Sequence, residues 1–221
     1  MEGVIVINKP SGITSHDVVA RIRKKFSIKK VGHAGTLDPL ATGVLVVLVG
    51  KATKLSNQFV GFDKSYRSTM ILGTTTDSAD IEGEILKHAT YDHIRESDIE
   101  ETFKKFTGNI EQVPPMYSAV KVGGKKLYEL ARKGIVIERQ ARSIVVNRLE
   151  LESVELPEVK FFLDCSKGTY VRQIAEDIGR ELGCGACITQ IQRTKVGPFS
   201  IEQSVHLEDV DESHLRNWKS S

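Results

Sequence analysis

The sequence lacks the features that mark secreted and membrane proteins. It has only three cysteines, an odd and small number that argues against a disulfide framework. Its longest uninterrupted apolar run, residues 44–49, is far shorter than the roughly 20 residues that a membrane-spanning helix needs. The first residues contain no basic region followed by an apolar stretch and a small-residue cleavage site, so no signal peptide is indicated. We therefore expect a cytoplasmic protein with no membrane partner.

Low-complexity segments and linker-like stretches are absent as well. The 221 residues are 40% hydrophobic and 27% charged, which is ordinary for a soluble globular domain and excludes a disordered chain. This length fits one large domain or two small ones. Because no change of composition marks a boundary, we predict a single domain over residues 1–221.

The formal net charge is only +2, but the charges are unevenly distributed. Residues 1–60 carry nine Lys or Arg against three acids, and residues 102–150 carry ten against four. Between them, residues 77–101 carry two basic residues against nine acids. Such blocks indicate either solvated helix faces or a phosphate-binding surface assembled from separate segments.

The hydrophobic periodicity predicts a mixture of helices and strands. Predicted helices cover residues 16–26 (capped by Thr14 or Ser15), 52–62, 97–106 (capped by Ser97, with Glu100 at the capping-box position), 127–132 and 170–182. Predicted strands cover residues 3–8, 44–49, 65–72, 84–87, 144–154, 159–165 and 188–196, with a hairpin turning at Gly123 and Gly124. Without a regular βαβ repeat, this order predicts an α+β fold with a large mixed sheet flanked by helices.

Two motifs that would supply a cofactor or a metal fail on inspection. Residues 43–53 suggest a phosphate-binding P-loop, but the glycines are seven apart and Ala52 replaces the metal-binding Ser or Thr. Cys184 and Cys187 have C-x-x-C spacing, yet no second ligand pair exists for zinc. We interpret both cysteines as structural and expect neither metal nor cofactor.

The most informative stretch is residues 32–43, Gly-His-Ala-Gly-Thr-Leu-Asp-Pro-Leu-Ala-Thr-Gly. Asp38 before Pro39 fits the start of a short helical turn, with Asp as the N-cap. It equally fits a carboxylate presented on a loop whose glycines allow a ligand to approach. A single carboxylate argues against the usual glycosidase chemistry, which needs two, but permits covalent catalysis.

These residues resemble the catalytic-loop motif of the TruB-type tRNA pseudouridine synthases, relatives of the dyskerin-like enzymes. Residues 8–15 (Asn-Lys-Pro-Ser-Gly-Ile-Thr-Ser) are similar to the opening motif of that family, and residues 63–67 (Asp-Lys-Ser-Tyr-Arg) to its second motif. Residues 166–172 (Ser-Lys-Gly-Thr-Tyr-Val-Arg) resemble its third. The stretch that follows Gln112 looks like its RNA-gripping insertion, which we place at about residues 108–140. Five motifs in family order make a chance match very improbable.

The resemblance implies a reaction and a set of catalytic residues. A uridine becomes pseudouridine: the N-glycosidic bond breaks, the uracil turns and a C–C bond forms, without cofactor. Asp38 corresponds to the essential aspartate, Tyr66 to a tyrosine that stacks on the uracil and can transfer a proton, and Arg172 to the basic residue that pairs with the catalytic carboxylate. For Asp38, attack on the sugar, attack on the base and a glycal route are all compatible with the sequence. For Tyr66, the alternative is a purely structural tyrosine in the core.

Further residues match substrate-binding positions of the family: His33, Tyr170, Lys9, Asp80, Lys125 and Lys126. His33 would lie near the flipped nucleotide and Tyr170 in the pocket wall. Lys9, and also Lys125 and Lys126, would contact phosphates or support the pocket. A purely structural His33, an Asp80 that only caps a turn and a solvated lysine cluster are the alternatives.

The implied substrate is the T-arm stem-loop of tRNA, with modification at position 55. We expect a monomer without a protein partner. Bacterial members commonly continue into a C-terminal PUA domain, and we expect none here because the sequence ends at Ser221. A non-catalytic RNA-binding module and a synthase for another RNA are the competing hypotheses; the combination of Asp38, Tyr66 and Arg172 disfavours the first.

Overall fold

The computed structural model describes residues 1–218 and divides into two compact units. Unit 1 consists of Met1–Arg67 and Gln190–Ser221, and unit 2 of Ser68–Thr189. Within the described residues, every helix is too short or too polar to cross a lipid bilayer.

The described chain contains fourteen strands and five α-helices. The strands are β1 (Gly3–Lys9), β2 (Val31–Ala34), β3 (Thr42–Val49), β4 (Lys64–Leu72), β5 (Thr74–Thr76), β6 (Ile85–His88), β7 (Gly108–Gln112), β8 (Lys121–Val122), β9 (Lys125–Lys126), β10 (Arg142–Glu155), β11 (Glu158–Cys165), β12 (Ala186–Val196), β13 (Phe199–Ser200) and β14 (Val205–His206). The helices are α1 (Ser15–Phe26), α2 (Ser56–Val60), α3 (Glu96–Lys105), α4 (Leu127–Ala131) and α5 (Val171–Glu181). Ten strands belong to one mixed sheet, so the predicted α+β class with a large mixed sheet is confirmed.

In unit 1 the sheet order is β14-β1-β3-β12. Strand β2 pairs with the second half of β3, from Val31↔Val49 to Ala34↔Val46. The antiparallel ladder of β1 and β3 runs from Gly3↔Val49 to Lys9↔Gly43. Seven consecutive residues of β3 are buried, the pattern of a strand covered on both faces. Phe59, Phe199 and Trp218 pack against one face of the sheet, with ring centroids 5.0–5.8 Å apart.

Helix α1 is capped by Thr14, one of the two predicted cap residues. The Thr14 hydroxyl accepts from the Asp17 N–H at 3.1 Å, and the Asp17 carboxylate accepts from the Thr14 N–H at 2.8 Å. This reciprocal pair satisfies two backbone donors of the first turn. Val18, Val19 and Ile22 form the buried face. Since Thr14 provides the cap, the hydroxyl of Ser15 is free to serve another segment.

In unit 2 the sheet order is β4-β11-β10-β7. The pairing of β10 with β11 is antiparallel, and Phe161 meets Phe103 of α3 edge-on at 6.0 Å. Strands β8 and β9 form the predicted hairpin, in which Gly123 and Gly124 have φ = +58° and +81°. Both central positions with positive φ are the signature of a type I′ turn, for which glycine is suited.

Some local predictions are wrong. Residues 52–62 do not form one helix: a 3₁₀ turn over Gly50–Leu55 precedes α2. Ser97 is not the cap of α3, because the helix starts one residue earlier and the Asp98 carboxylate accepts from the Arg95 N–H at 2.8 Å. Strand β2 lies where the glycines predict a loop.

Candidate active site

Asp38 lies in the loop that joins β2 to β3, residues 35–41, in unit 1. Asp38 and Pro39 begin no helix; the chain makes a bend in which the Ala41 N–H donates to the Asp38 carbonyl at 3.1 Å. Leu37 and Ala41 are buried and anchor the loop by their apolar side chains. The half-buried Asp38 between these anchors is therefore presented by a fixed loop.

Lys9 holds the far side of this loop. Its ammonium is fully buried and donates to the carbonyls of Pro10 at 2.8 Å, Ile13 at 2.7 Å and Pro39 at 3.2 Å. A buried ammonium requires such charge-assisted bonds to offset its lost hydration. Lys9 therefore ties the segment after β1 to the residue that follows Asp38. Its three bonds support the loop that carries Asp38.

Helix α1 fixes the near side of the loop. The Ser15 hydroxyl exchanges hydrogen bonds with the main chain of Leu37, with Leu37 N–H to Oγ at 2.8 Å and Oγ to the Leu37 carbonyl at 3.1 Å. The Gly12 N–H donates to the Pro39 carbonyl at 2.9 Å, and the Ser11 hydroxyl to the Leu40 carbonyl at 3.0 Å. The residues on both sides of Asp38 are thus bonded to the segment 11–15.

Arg193 of β12, which the sequence analysis does not single out, holds the loop from a third direction. Its side chain is buried, and its guanidinium donates to the carbonyls of Val44 at 2.7 Å, Thr36 at 3.3 Å and Gly35 at 3.0 Å. Two of the acceptors lie in the loop before Asp38, and the third lies in β3 after it. One planar group with five donors can bind several carbonyls at once in this way.

Tyr66 and Asp38 both lie within the electrostatic reach of Arg193. Burial lowers the pKa of the Arg193 guanidinium, whereas Tyr66, which accepts a hydrogen bond from it, and the Asp38 carboxylate act in the opposite direction. Tyr66 itself is buried on β4. Unit 1 therefore brings together two of the predicted catalytic residues, a carboxylate and a phenol, around one buried cation. Such a set can supply a nucleophile or base and a proton-transfer group.

His33 lies on β2, opposite Val47 of β3, and is half-buried. Burial lowers its pKa below the usual 6.5, and the positive charge of Arg193 and the neighbouring His16 act in the same direction. Within residues 1–218, its Nδ1 atom has no hydrogen-bond partner. A neutral ring can pack against a nucleotide base without carrying a charge that must be desolvated.

We expect the ring of His33 to titrate below pH 6.5. The unfolded chain then binds a proton more readily than the folded chain, so the free energy of unfolding should fall as the pH drops through this range. The Hε1 resonance followed by NMR from pH 8 to pH 5 gives the midpoint, and His33→Gln assigns the signal. A midpoint at or above 6.5 would contradict the expectation.

In unit 2, Arg172 and Asp80 form a buried ion pair. The Arg172 Nη1 lies 3.4 Å from an Asp80 oxygen, and the same guanidinium donates to the carbonyls of Ser78 at 2.6 Å and Tyr117 at 2.8 Å. Asp80 also accepts from the Ser78 hydroxyl at 2.7 Å and the Glu82 N–H at 3.2 Å. Asp80 thus does more than cap a turn: it is the carboxylate partner of Arg172 in this unit.

Tyr170 stands directly before α5, at its N-cap position. Its main chain is bonded twice to the side chain of Gln112, which accepts from the Tyr170 N–H at 2.9 Å and donates to its carbonyl at 3.1 Å. Gln112 is buried at the end of β7. This reciprocal pair fixes the start of the helix from which Arg172 projects.

Lys125 and Lys126 form β9, the second strand of the small hairpin. Lys125 is exposed, while the Lys126 ammonium lies 5.3 Å from the ring centre of Tyr128 and 3.3 Å from its hydroxyl. Arg132 contacts the same ring at 5.5 Å. The hairpin and α4 therefore present a positively charged surface around one aromatic ring, with the apolar side of α4 buried through Leu127.

Neither cysteine of the C-x-x-C pair has the environment of a reactive thiol. Both are buried. Burial raises the pKa of Cys187 to about 11, with a further contribution from the Asp80 carboxylate, and burial also raises that of Cys184. Low-pKa thiolates are needed for redox and nucleophilic chemistry. Within the described residues, no group of three or more His, Cys, Asp or Glu side chains is arranged to hold a metal.

Comparison with known proteins decides the family. A family model described as the N-terminal domain of TruB family pseudouridylate synthase matches residues 23–171, and one described as the C-terminal domain of tRNA pseudouridylate synthase B matches residues 172–220. The chain belongs to the TruB family of pseudouridylate synthases. The resemblance inferred from the motifs is thereby confirmed.

Curated TruB relatives match along nearly the whole chain. The protein named tRNA pseudouridine synthase B from Clostridium tetani is 48% identical over 99% of this chain and 75% of its own length. The protein of the same name from Geobacter sulfurreducens is 47% identical over 96% of this chain and 70% of its own length.

Solved structures agree. The chain is 35% identical to one in the crystal structure of a Cbf5-Nop10-Gar1 complex, with a TM-score of 0.74, covering 94% of this chain and 53% of the other. A structure of an H/ACA RNP bound to a substrate RNA containing 2′-deoxyuridine gives 31% identity and a TM-score of 0.70, covering 94% and 51%. The chain thus spans about half the length of each of these two solved chains.

The TruB motifs identify Asp38 and Tyr66 but not the residues that hold them. The sequence contains a signal from which the role of Arg193 could have been predicted. Residues two apart on a strand share a face, so Ile191 places Arg193 on an apolar face of β12, where an arginine needs internal acceptors. Ser15 and Gln112 carry no comparable signal, because their partners lie 22 and 58 residues away.

Proposed function

We propose that the chain isomerises uridine 55 in the T-loop of tRNA to pseudouridine. The observation that carries this proposal is the loop 35–41, which holds the Asp38 carboxylate beside Tyr66 and Arg193 in a TruB-family chain. Relatives named tRNA pseudouridine synthase B, 47–48% identical over nearly the whole chain, support the same substrate.

The reaction requires three changes in the nucleotide: the bond from C1′ to N1 breaks, a bond from C1′ to C5 forms, and the proton on C5 leaves while N1 gains one. We assign Asp38 to the first step, as nucleophile or as base, and Tyr66 to stacking on the uracil and proton transfer. A loop fixed on three sides keeps the carboxylate in place while the base turns, which lowers the entropic part of the barrier.

A uridine stacked in the T-loop cannot reach Asp38, so the enzyme must extrude it. We propose that His33 occupies the space next to the extruded nucleotide. Its lowered pKa keeps the ring neutral at pH 7, which suits a contact with an uncharged base. Lys9 is assigned to the loop and not to phosphate, because its ammonium already donates to three carbonyls.

In unit 2 we propose that Arg172 is required for catalysis, that Asp80 keeps its guanidinium oriented, and that Tyr170 contributes to the pocket wall. The carbonyls of Ser78 and Tyr117 and the Asp80 carboxylate orient the Arg172 guanidinium. The Gln112 side chain does the same for the main chain of Tyr170.

The decisive experiment uses the purified protein and an unmodified tRNA transcript, with pseudouridine mapped at single-nucleotide resolution. We expect conversion at position 55, and none in a transcript that carries cytidine there. Conversion at another site would indicate a synthase for a different target. Tight binding without any conversion would indicate an RNA-binding module instead.

We propose that Lys125 and Lys126 contact tRNA phosphates. Binding should then weaken steeply with salt, because each phosphate contact releases counterions. Replacing both lysines by alanine should flatten the slope of log affinity against log salt by about 1 to 2. Filter binding over a salt series measures the slope, with Lys160→Ala, an exposed lysine of β11, as the control. An unchanged slope would place the RNA footprint elsewhere.

We further infer that the protein acts on tRNA as a cytoplasmic monomer, without a protein partner. The reasoning is that the Asp38 loop obtains its support from within unit 1, through Lys9, Ser15 and Arg193. Light scattering on the purified protein with and without tRNA tests the oligomeric state. A dimer in the active fraction would contradict the inference.

A further inference from the structure

We propose that Arg193 is a positioning residue for the TruB reaction: it fixes the loop 35–41 and the Tyr66 hydroxyl relative to each other, so that Asp38 is correctly placed. This inference rests on the proposed function. Arg193 lies more than 150 residues after the loop in sequence and outside every motif that identified the family.

The main chain explains why the side chain reaches the loop. Strand β12 runs parallel to β3, with Arg193 in register with Gly43. A Cβ atom on Gly43, whose φ is +97°, would lie only 2.2 Å from the Arg193 carbonyl oxygen. Only glycine allows this approach, because any other side chain would collide with backbone. The close contact brings Arg193 to the end of the loop, and its side chain extends back along it.

The guanidinium then binds the main chain on both sides of Asp38. Gly35 and Thr36 precede Asp38, and Val44 lies in the strand that follows. One rigid plane therefore ties the start of the loop to strand β3. Lysine cannot do the same. Its single ammonium lacks the planar fork of donors, and it sits at the end of a flexible side chain.

The same guanidinium connects the loop to the second catalytic group. Tyr66 accepts a hydrogen bond from it, and the Asp38 carboxylate lies within its electrostatic reach. Arg193 is 1% exposed, so it acts from behind the loop and has no surface to offer to RNA. Its loss should therefore affect the chemical step and not the binding of tRNA.

The test compares the wild-type chain with Arg193→Lys and Arg193→Met on unmodified tRNA. The single-turnover rate constant at saturating tRNA, and separately KM, are measured below the melting temperature of each variant. We expect Arg193→Lys to lower the rate constant about 10- to 100-fold, because small displacements of a reacting group cost rates of this order. KM should stay within about 3-fold, since ground-state binding is untouched. Arg193→Met, without charge beside Asp38 and Tyr66, should be slower than Arg193→Lys.

Arg216→Lys is the control, because Arg216 also donates to a carbonyl in unit 1, that of Gln203 at 2.9 Å, but is exposed. We expect the wild-type rate from it. Full activity of folded Arg193→Lys, or equal rates for the lysine and methionine variants, would overturn the assignment. A wild-type chain that makes no pseudouridine would overturn the proposed function and this assignment with it.

Gly35→Ala changes the acceptor side of the same contact, because the Gly35 carbonyl accepts from Arg193. It provides the test if neither Arg193 variant folds. Gly35 has φ = +86°, and an added Cβ would clear Arg193 Nη1 at 3.7 Å, so the strain falls on the loop backbone. We expect a lower rate constant with unchanged KM. Gly183→Ala, with φ = +79° and open space around it, is the matched control. Wild-type rates from Gly35→Ala would overturn the assignment.

Discussion

Asp38→Asn is expected to abolish pseudouridine formation while leaving tRNA affinity within a few-fold. The amide is nearly isosteric with the carboxylate, so the bend at residues 38–41 and its anchors should persist, but it is neither a nucleophile nor a base. We expect the single-turnover rate constant to fall by about 1,000-fold or more, which corresponds to about 4 kcal/mol in the barrier.

Single-turnover conversion and filter binding on the same transcript measure the two quantities. Asp209→Asn is the matched control, because it removes one exposed carboxylate from the same unit and changes the net charge equally. It should convert tRNA at the wild-type rate. Substantial turnover by Asp38→Asn would remove Asp38 from the catalytic role.

Arg172→Met is expected to lower the free energy of unfolding by about 3–5 kcal/mol, the usual cost of breaking a buried ion pair from one side. The side chains of Arg172 and Asp80 are only 5% and 10% exposed. Without the guanidinium, the Asp80 carboxylate keeps the Ser78 and Glu82 donors but loses its counter-ion. The carbonyls of Ser78 and Tyr117 also lose a donor.

Urea denaturation gives the free energies. Arg180→Met is the control on the same helix, because Arg180 pairs with Asp177 but its side chain is 72% exposed, and exposed pairs contribute about 1 kcal/mol or less. Combining Arg172→Met with Asp80→Asn should recover part of the loss, since the unpaired charge is then gone. Similar costs for Arg172→Met and Arg180→Met would contradict the prediction.

Elements whose pattern is local were predictable from the sequence. Helix α1 has its cap and its capping-box acid three residues apart, so the whole signal lies in one turn. The hairpin of β8 and β9 follows from two adjacent glycines. For α3, the same logic failed, because Ser97 with Glu100 and Arg95 with Asp98 offer competing starts and sequence spacing does not rank them.

The candidate site was predictable in its chemistry but not in its support. The motif around Asp38 identifies the carboxylate, yet the pair Asp38-Pro39 fits a helix start as well as a loop. The choice is made by contacts from Lys9 and Arg193, which are 30 and more than 150 residues away from their acceptors in the loop. Such distant pairs leave no periodic trace in a single sequence.

The anchoring of the loop by its carbonyl oxygens has a consequence for how freely its sequence can vary. Lys9 and Arg193 bind the main chain of Pro39, Gly35 and Thr36, so neither contact depends on the side chain at the position it holds. Exchange of the exposed Thr36, for example, leaves both anchors intact. Divergence or redesign of this segment is limited by backbone conformation and by the two buried apolar positions, Leu37 and Ala41, whereas an exposed position can change without loosening the carboxylate.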